Sequence, residues 1–242
     1  MNLFKRVTCG CLIGLLLQAI SWADPSPAAA ELYEGKEFKQ AFANPKDDPA
    51  LPRVLLIGDS ISIGYTVPVR KLLKGKANVH RIPGNGQTSD FGVTNLPKWL
   101  GEGKWDVIHF NWGLWDLCYR HPESKSQGKR DKINGTLSTT PEQYRKNLEA
   151  AVAILKKTGA KLIWCSTTPV PEGEDGRKVG DDLIYNKIAK EVMDANGIPI
   201  DDLHAHALKK LPGIALKPGD VHFTDAGSEY LAEQVVASIL QQ

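Results

Sequence analysis

Two short stretches near opposite ends of the chain carry groups that together could perform acyl chemistry. The apolar run Val54-Leu55-Leu56-Ile57 passes directly into Gly58-Asp59-Ser60-Ile61-Ser62, which puts Ser60 at the start of a following helix. There its own backbone N–H points toward a bound oxyanion, and the positive end of the helix dipole favours developing negative charge. That setting suits a nucleophilic hydroxyl. A plainer reading of the same residues is that Asp59 or Ser60 only caps the helix. Near the far end, Gly219-Asp220-Val221-His222 precedes the last helical stretch. A serine needs a base to accept its proton, and the base needs an acid to hold its tautomer, so His222 and Asp220 complete the chemical set.

The other histidines compete poorly for the role of base. His109 lies inside an apolar strand and reads as a core residue, His80 is in a strand and His121 in a polar loop. His204 and His206 alternate on one face and, with Asp202, offer a conceivable metal set, but no third clear ligand follows and no metal or cofactor is expected.

The elements that must position these groups alternate in type. Strand-like runs at 53–57, 78–82, 105–111, 160–166 and, more weakly, 199–203 are separated by helical stretches at 61–74, 94–100, 141–157 and 181–196, with a last helix at 225–241. Continuous apolar strands such as Leu162-Ile163-Trp164 imply burial on both faces. The fold class expected is therefore α/β, three layers around a central parallel sheet of about five strands. The helix from Pro141 is the best signalled, with Thr140 as N-cap, Pro141 in the first turn and Gly159 as the stop. In such a sheet the site forms beyond the carboxyl ends of the strands. Two long polar segments, 118–140 and 171–181, fall on that edge and read as functional rims or disordered insertions.

The composition of the 242 residues, 42% hydrophobic and 24% charged, is that of a globular chain with a packed core. Residues 1–23 resemble a cleavable export signal: Lys5 and Arg6 begin it, a short apolar run follows, and Ser21-Trp22-Ala23 offers small residues for cleavage. The apolar run is shorter than the roughly 20 residues a spanning helix needs. Without Lys5 and Arg6, 28 basic residues face 28 acidic ones. That balance argues against a nucleic-acid partner or a polybasic membrane contact. Cys9 and Cys11 leave with the signal, and Cys118 and Cys165 are expected as separate thiols. Residues 24–52 form an irregular lead-in and 53–242 a single domain.

From 53 onward the chain resembles the SGNH hydrolases, the GDSL-like lipases and esterases. Their first block matches Gly58-Asp59-Ser60, their second, with its oxyanion-binding glycine, matches Gly86 in Gly84-Asn85-Gly86-Gln87-Thr88-Ser89, and their last matches Val221-His222. The resemblance implies a flavodoxin-like sheet, Ser60 as nucleophile, His222 as base, and an oxyanion hole from the N–H groups of Ser60 and Gly86. Two departures stand out. The third block, Gly-x-Asn-Asp in the family, reads Gly113-Leu114-Trp115-Asp116 here, so Trp115 replaces the usual Asn donor. The acid that usually stands three residues before the histidine is replaced by Gly219, and Asp220 stands two before. Trp115 either donates its indole N–H to the oxyanion or shapes the pocket rim; Asn85 is a second candidate donor, and Asn85 and Asp116 are expected at the substrate. A Gly-x-Ser-x-Gly elbow is absent, because Ser62 occupies its last position.

The activity implied is that of an exported serine esterase acting on short acyl esters, with acetyl groups on carbohydrate favoured. Trp99, Trp105, Trp112, Trp115 and Trp164 are available for sugar stacking, although most tryptophans in such a fold are core. An inactive carbohydrate-binding protein on the same fold and an acyltransferase using Ser60 are the alternatives.

Overall fold

The computed structural model describes residues 36–241. Residues 1–23, expected to be an export signal, lie outside them with Cys9 and Cys11. Helix α1 (Lys36–Ala41) is followed by β1 (Arg53–Ile57), α2 (Ser60–Leu72), β2 (Asn78–Arg81), α3 (Ser89–Leu100) and β3 (Val107–Phe110). A short antiparallel ribbon, β4 (Tyr119–Arg120) with β5 (Thr136–Leu137), then precedes α4 (Pro141–Lys156), β6 (Lys161–Cys165), α5 (Asp181–Asn196), β7 (Ile200–Asp201), α6 (Leu203–Leu208) and α7 (Asp225–Leu240).

The main sheet is parallel throughout, in the order β2-β1-β3-β6-β7. This is the flavodoxin-like order that the family resemblance implies, with its reversal between β1 and β3. Ile57 pairs with Phe110 at that reversal, so the chain leaving β1 and the chain leaving β3 emerge side by side. Strand side chains are buried on both faces: Leu55, Leu56, Ile57, Ile108, Phe110 and Ile163 are all about 1% exposed or less. Helix α2 packs with α7, whereas α3 packs with α4 and α4 with α5. The α2–α7 approach is close at Gly64, where a Cβ would lie 3.0 Å from Ser228 Oγ.

Differences from the sequence reading are local and have physical causes. Helix α3 starts five residues earlier than the apolar spacing indicates, because its first turn buries Ser89, a polar residue whose hydroxyl finds partners inside the fold. Asp202 accepts from Ala205 N–H and starts the short helix α6 where a strand end was expected. The lead-in is less irregular than anticipated: α1 packs on α2, and Arg70 donates to the carbonyls of Gln40 and Ala43. Farther along it, Asp47 bridges His80 Nε2 (2.6 Å) and Arg53 Nε (2.8 Å). Cys118 and Cys165 are both buried free thiols. Among the described residues no helix is long and apolar enough to cross a membrane.

The two long polar segments are ordered and joined. Tyr119 N–H donates to Gly176 O (2.7 Å), Lys132 N–H to Asp175 O (2.9 Å), and Arg130 pairs with Glu174 (2.9 Å). They form one rim over the carboxyl edge of the sheet.

Candidate active site

Helix α2 begins at Ser60 because Asp59 occupies the N-cap in extended conformation, its Oδ1 accepting from Ile61 N–H at 3.0 Å. The capping role thus falls on Asp59. Ser60 is the first helical residue, and its N–H has no hydrogen-bond partner among the described residues. Asp59 is 3% exposed, and burial raises its carboxyl above the usual value against the opposing pull of the Ile61 N–H.

His222 is delivered by the segment between α6 and α7. Its carbonyl accepts from Leu216 N–H (2.9 Å), and Thr224 N–H donates to Ile214 O (3.0 Å), which together hold the turn. His222 Nε2 stands 3.0 Å from Ser60 Oγ, and Nδ1 stands 2.6 Å from Asp220 Oδ1. The same Asp220 oxygen accepts from His222 N–H at 3.0 Å. The hydrogen bond from His222 pulls the Asp220 carboxyl down to about 2, with burial opposing it. A carboxylate, an imidazole and a hydroxyl are thereby in line, and this arrangement can move a proton from Ser60 Oγ to Nε2 while the charged acid fixes the ring tautomer.

The backbone explains why the acid stands two residues before His222. Gly219 has φ +72°, a left-handed conformation, and a Cβ there would approach Gly173 O to 3.0 Å. An aspartate at 219 would be strained. The tight turn instead aims Asp220 at the ring.

The expected oxyanion donors are only partly available. Gly86 N–H is engaged with Gly58 O at 2.9 Å, and a Cβ at 86 would come within 2.8 Å of that oxygen. The glycine at 86 is thus required for close packing of two turns, and its N–H is not free for a substrate. Asn85 is 7% exposed, its Oδ1 accepts from Gln87 N–H within its own turn (2.9 Å), and it is absent from the cleft lining. Trp115 does border the cleft beside Ser60 and His222, and its Nε1 has no hydrogen-bond partner among the described residues.

Asp116, expected at the substrate, does not line the cleft. It is fully buried, with Oδ1 accepting from Ser89 N–H (2.9 Å) and Ser89 Oγ–H (2.6 Å), and Ser89 Oγ in turn accepts from Asn147 (2.8 Å). The network ties the turn after β3 to α3 and α4. Burial raises the Asp116 carboxyl from 3.8 to about 7, against the Ser89 hydrogen bonds. The native state therefore retains a proton that the unfolded chain releases, so this group's contribution to stability falls as pH rises from about 4 to about 7 and then levels. Asp116→Asn is expected to remove that slope. Thermal melts of both proteins from pH 4 to 8 test it, and parallel curves would refute the assignment.

The cleft, of about 50 Å³, is lined by Asp59, Ser60, Leu114, Trp115, Val221 and His222 on the sheet edge. Gln127, Gly128 and three arginines, Arg120, Arg130 and Arg177, complete it from the rim. Both rim loops stand out in the sequence but none of these arginines does, since nothing local marks Arg177 as a neighbour of Arg120 and Arg130 on the other loop. The tryptophans resolve mainly into core: Trp112 and Trp164 are about 1% exposed, Trp105 is 7% exposed, and Trp99 packs on Phe91. The histidines also disperse. His204 Nε2 faces Asp182 (2.7 Å), His206 stacks on Tyr230, and Asp202 caps α6, so the three do not converge on one point. His109 is buried against Asp201 (2.9 Å).

No protein-family model and no curated protein matches the sequence. Solved structures do. An acetyl xylan esterase, AlAXEase, aligns over 77% of this chain and 99% of its own with 20% identity and a TM-score of 0.62. Axe2, an acetylxylan esterase from Geobacillus stearothermophilus, aligns over 78% and 94% with 20% identity and a TM-score of 0.62. A lipase/acylhydrolase from Enterococcus faecalis aligns over 78% and 95% with 22% identity and a TM-score of 0.60. With the parallel sheet order and the placement of the site at its reversal, these likenesses show that the chain has the fold of the SGNH/GDSL hydrolases.

Proposed function

We propose that the protein is an exported serine esterase that hydrolyses short acyl esters, with acetyl groups on carbohydrate as the favoured substrates. The observation that carries the reading is the alignment of Ser60 Oγ, His222 and Asp220, at 3.0 Å and 2.6 Å. Ser60 Oγ attacks the ester carbonyl as Nε2 accepts its proton; the imidazolium then protonates the departing alkoxide. Water, deprotonated by the same nitrogen, releases the acid and restores Ser60. The small cleft favours a short acyl group, and the acetyl xylan esterases among the similar structures support an acetylated sugar. Steady-state hydrolysis of aryl esters of increasing chain length and of acetylated sugars tests the reading, with Ser60→Ala as the control. No Ser60-dependent release of acid from any of them would overturn it.

With Gly86 N–H engaged, the oxyanion is received by Ser60 N–H and by the indole N–H of Trp115. Trp115→Phe keeps most of the ring and removes the donor. It is expected to lower kcat by about a hundredfold with little change in KM, the usual scale for one oxyanion donor. A shifted substrate preference at unchanged kcat would reject donation.

Export carries its own expectation. Mass spectrometry of the exported protein should find the N-terminus near Asp24; a soluble cytoplasmic form retaining Met1 would contradict it.

A further inference from the structure

The cleft holds more positive charge than its own residues neutralise. Glu174 is fully buried and serves two guanidiniums at once: Oε1 accepts from Arg130 Nη1 (2.9 Å) and Arg177 Nη1 (2.8 Å), and Oε2 accepts from Gly176 N–H (2.7 Å). Arg177 Nε also donates to Leu114 O (2.6 Å) and Arg130 Nε to Gln127 O (3.0 Å). Arg120 has no such partner. Among the described residues no carboxylate lies within ion-pair distance of it. The remaining acids at the cleft are committed elsewhere, Asp59 to the start of α2 and Asp220 to His222.

Arg120 is also held in place. Its guanidinium lies over the Trp115 ring, 4.7 Å from the centroid, and one Nη donates to Gly128 O. Gly128 has φ +68°, and a Cβ there would fall 2.8 Å from that Nη. A glycine is needed for the carbonyl to receive the arginine. Burial holds the guanidinium below the usual arginine value, with Arg177 and Arg130 adding to that effect and Cys118 and Glu174 opposing it. A planar fork fixed at one end, stacked on an indole and lacking a counter-ion, is arranged to receive an oxyanion through its other donors.

We propose that the ester substrate carries a singly charged oxyanion group beside the acyl ester, a sugar carboxylate or a sulfate half-ester, and that Arg120 binds it. One unpaired guanidinium matches one negative charge. Arg120 covers one face of Trp115, which closes that face to sugar stacking and sets a guanidinium in the cleft wall beside it. The inference rests on the esterase reading above and narrows its substrate class.

The test compares acetyl release from an O-acetylated glucuronoside with release from its uncharged methyl ester, and from an O-acetylated sulfated sugar with its unsulfated parent. A charge-assisted contact predicts kcat/KM about tenfold or more higher for one anionic member of these pairs, chiefly through KM, and a preference that shrinks with added salt. The carboxylate pair and the sulfate pair identify which group is read. Arg120→Gln should bring the ratio within the preferred pair close to one, and Arg120→Lys should retain part of it. Should the Gln variant fail to fold, the wild-type ratios and their salt dependence still decide the matter. Equal rates within both pairs would overturn the proposal, as would an Arg120→Gln loss that is the same for charged and uncharged members, which would place Arg120 on the reacting acyl group. Ser60-dependent hydrolysis of an aryl acetate, measured alongside, separates the two failures. If it persists while neither sugar pair shows a preference, only the anion seat falls; if it is absent, the esterase reading falls and takes this one with it.

Discussion

Ser60→Ala is expected to lower kcat on an aryl acetate by at least about four orders of magnitude while leaving the fold intact. Among the described residues the hydroxyl is the one nucleophile in hydrogen-bond contact with His222 Nε2, and no other side chain is hydrogen-bonded to it. Ser62→Ala is the informative neighbour. Ser62 is 2% exposed, donates to Asp59 O (2.8 Å) and accepts from Arg81 (3.0 Å). Its loss removes buried hydrogen bonds and should cost about 1–3 kcal/mol of stability, with kcat within a few-fold of the parent. Circular dichroism melts and kinetics on both variants separate the roles. Equal kinetic losses would mean that a damaged helix start, and not lost chemistry, explains the Ser60 result. His222→Ala should match Ser60→Ala, because parts that act as a unit do not add.

Asp220→Asn is expected to cost about three to four orders of magnitude in kcat. The carboxylate accepts from Nδ1 at 2.6 Å and so keeps Nε2 unprotonated and aimed at Ser60. An amide there can present its own N–H to the ring and favour the wrong tautomer. Because the hydrogen bond from His222 holds Asp220 at about 2, the acid remains ionised throughout the acid limb of the rate profile. The same shift has a stability signature of fixed sign: a carboxyl lower in the folded state than its ordinary 3.8 stabilises the protein above about pH 4, and the contribution fades as pH falls toward about 2. Asp220→Asn should flatten stability in that window. Turnover within a few-fold of the parent would assign the chemistry to a Ser60–His222 dyad.

Much of the architecture is legible in the residues because its signals are local. Four-residue apolar runs mark strands buried on both faces, and Thr140, Pro141 and Gly159 punctuate a helix whatever surrounds it. The alternation of the two elements then leaves few topologies for a parallel sheet. Ser60, Asp220 and His222 are legible for a related reason: each sits in a short segment tied to an element boundary, so its place at the carboxyl edge follows from the element order. The hydrogen-bond assignments are another matter, because they depend on which atoms meet. Gly86 reads as a donor to an oxyanion, yet its N–H meets Gly58 O across two turns. Asp116 reads as a substrate contact, yet the turn after β3 rotates it into the core against Ser89. The departure at Gly219 is visible in the chain, but its remedy is a backbone conformation that only the folded loop specifies.

Periodicity and caps in the chain already set the α/β class and the edge on which a site would form, and residue types together with the family resemblance mark Ser60 and His222 as the pair to meet there. It took the folded loops to show that Asp220 reaches the imidazole from two residues away, that Gly86 and Asp116 serve packing, that Arg130 and Arg177 from two loops share one buried glutamate, and that Arg120 stands beside them without it. Those outcomes depend on distances between segments remote in the chain, set by how loops close over the sheet, and no local pattern of residue types encodes such distances.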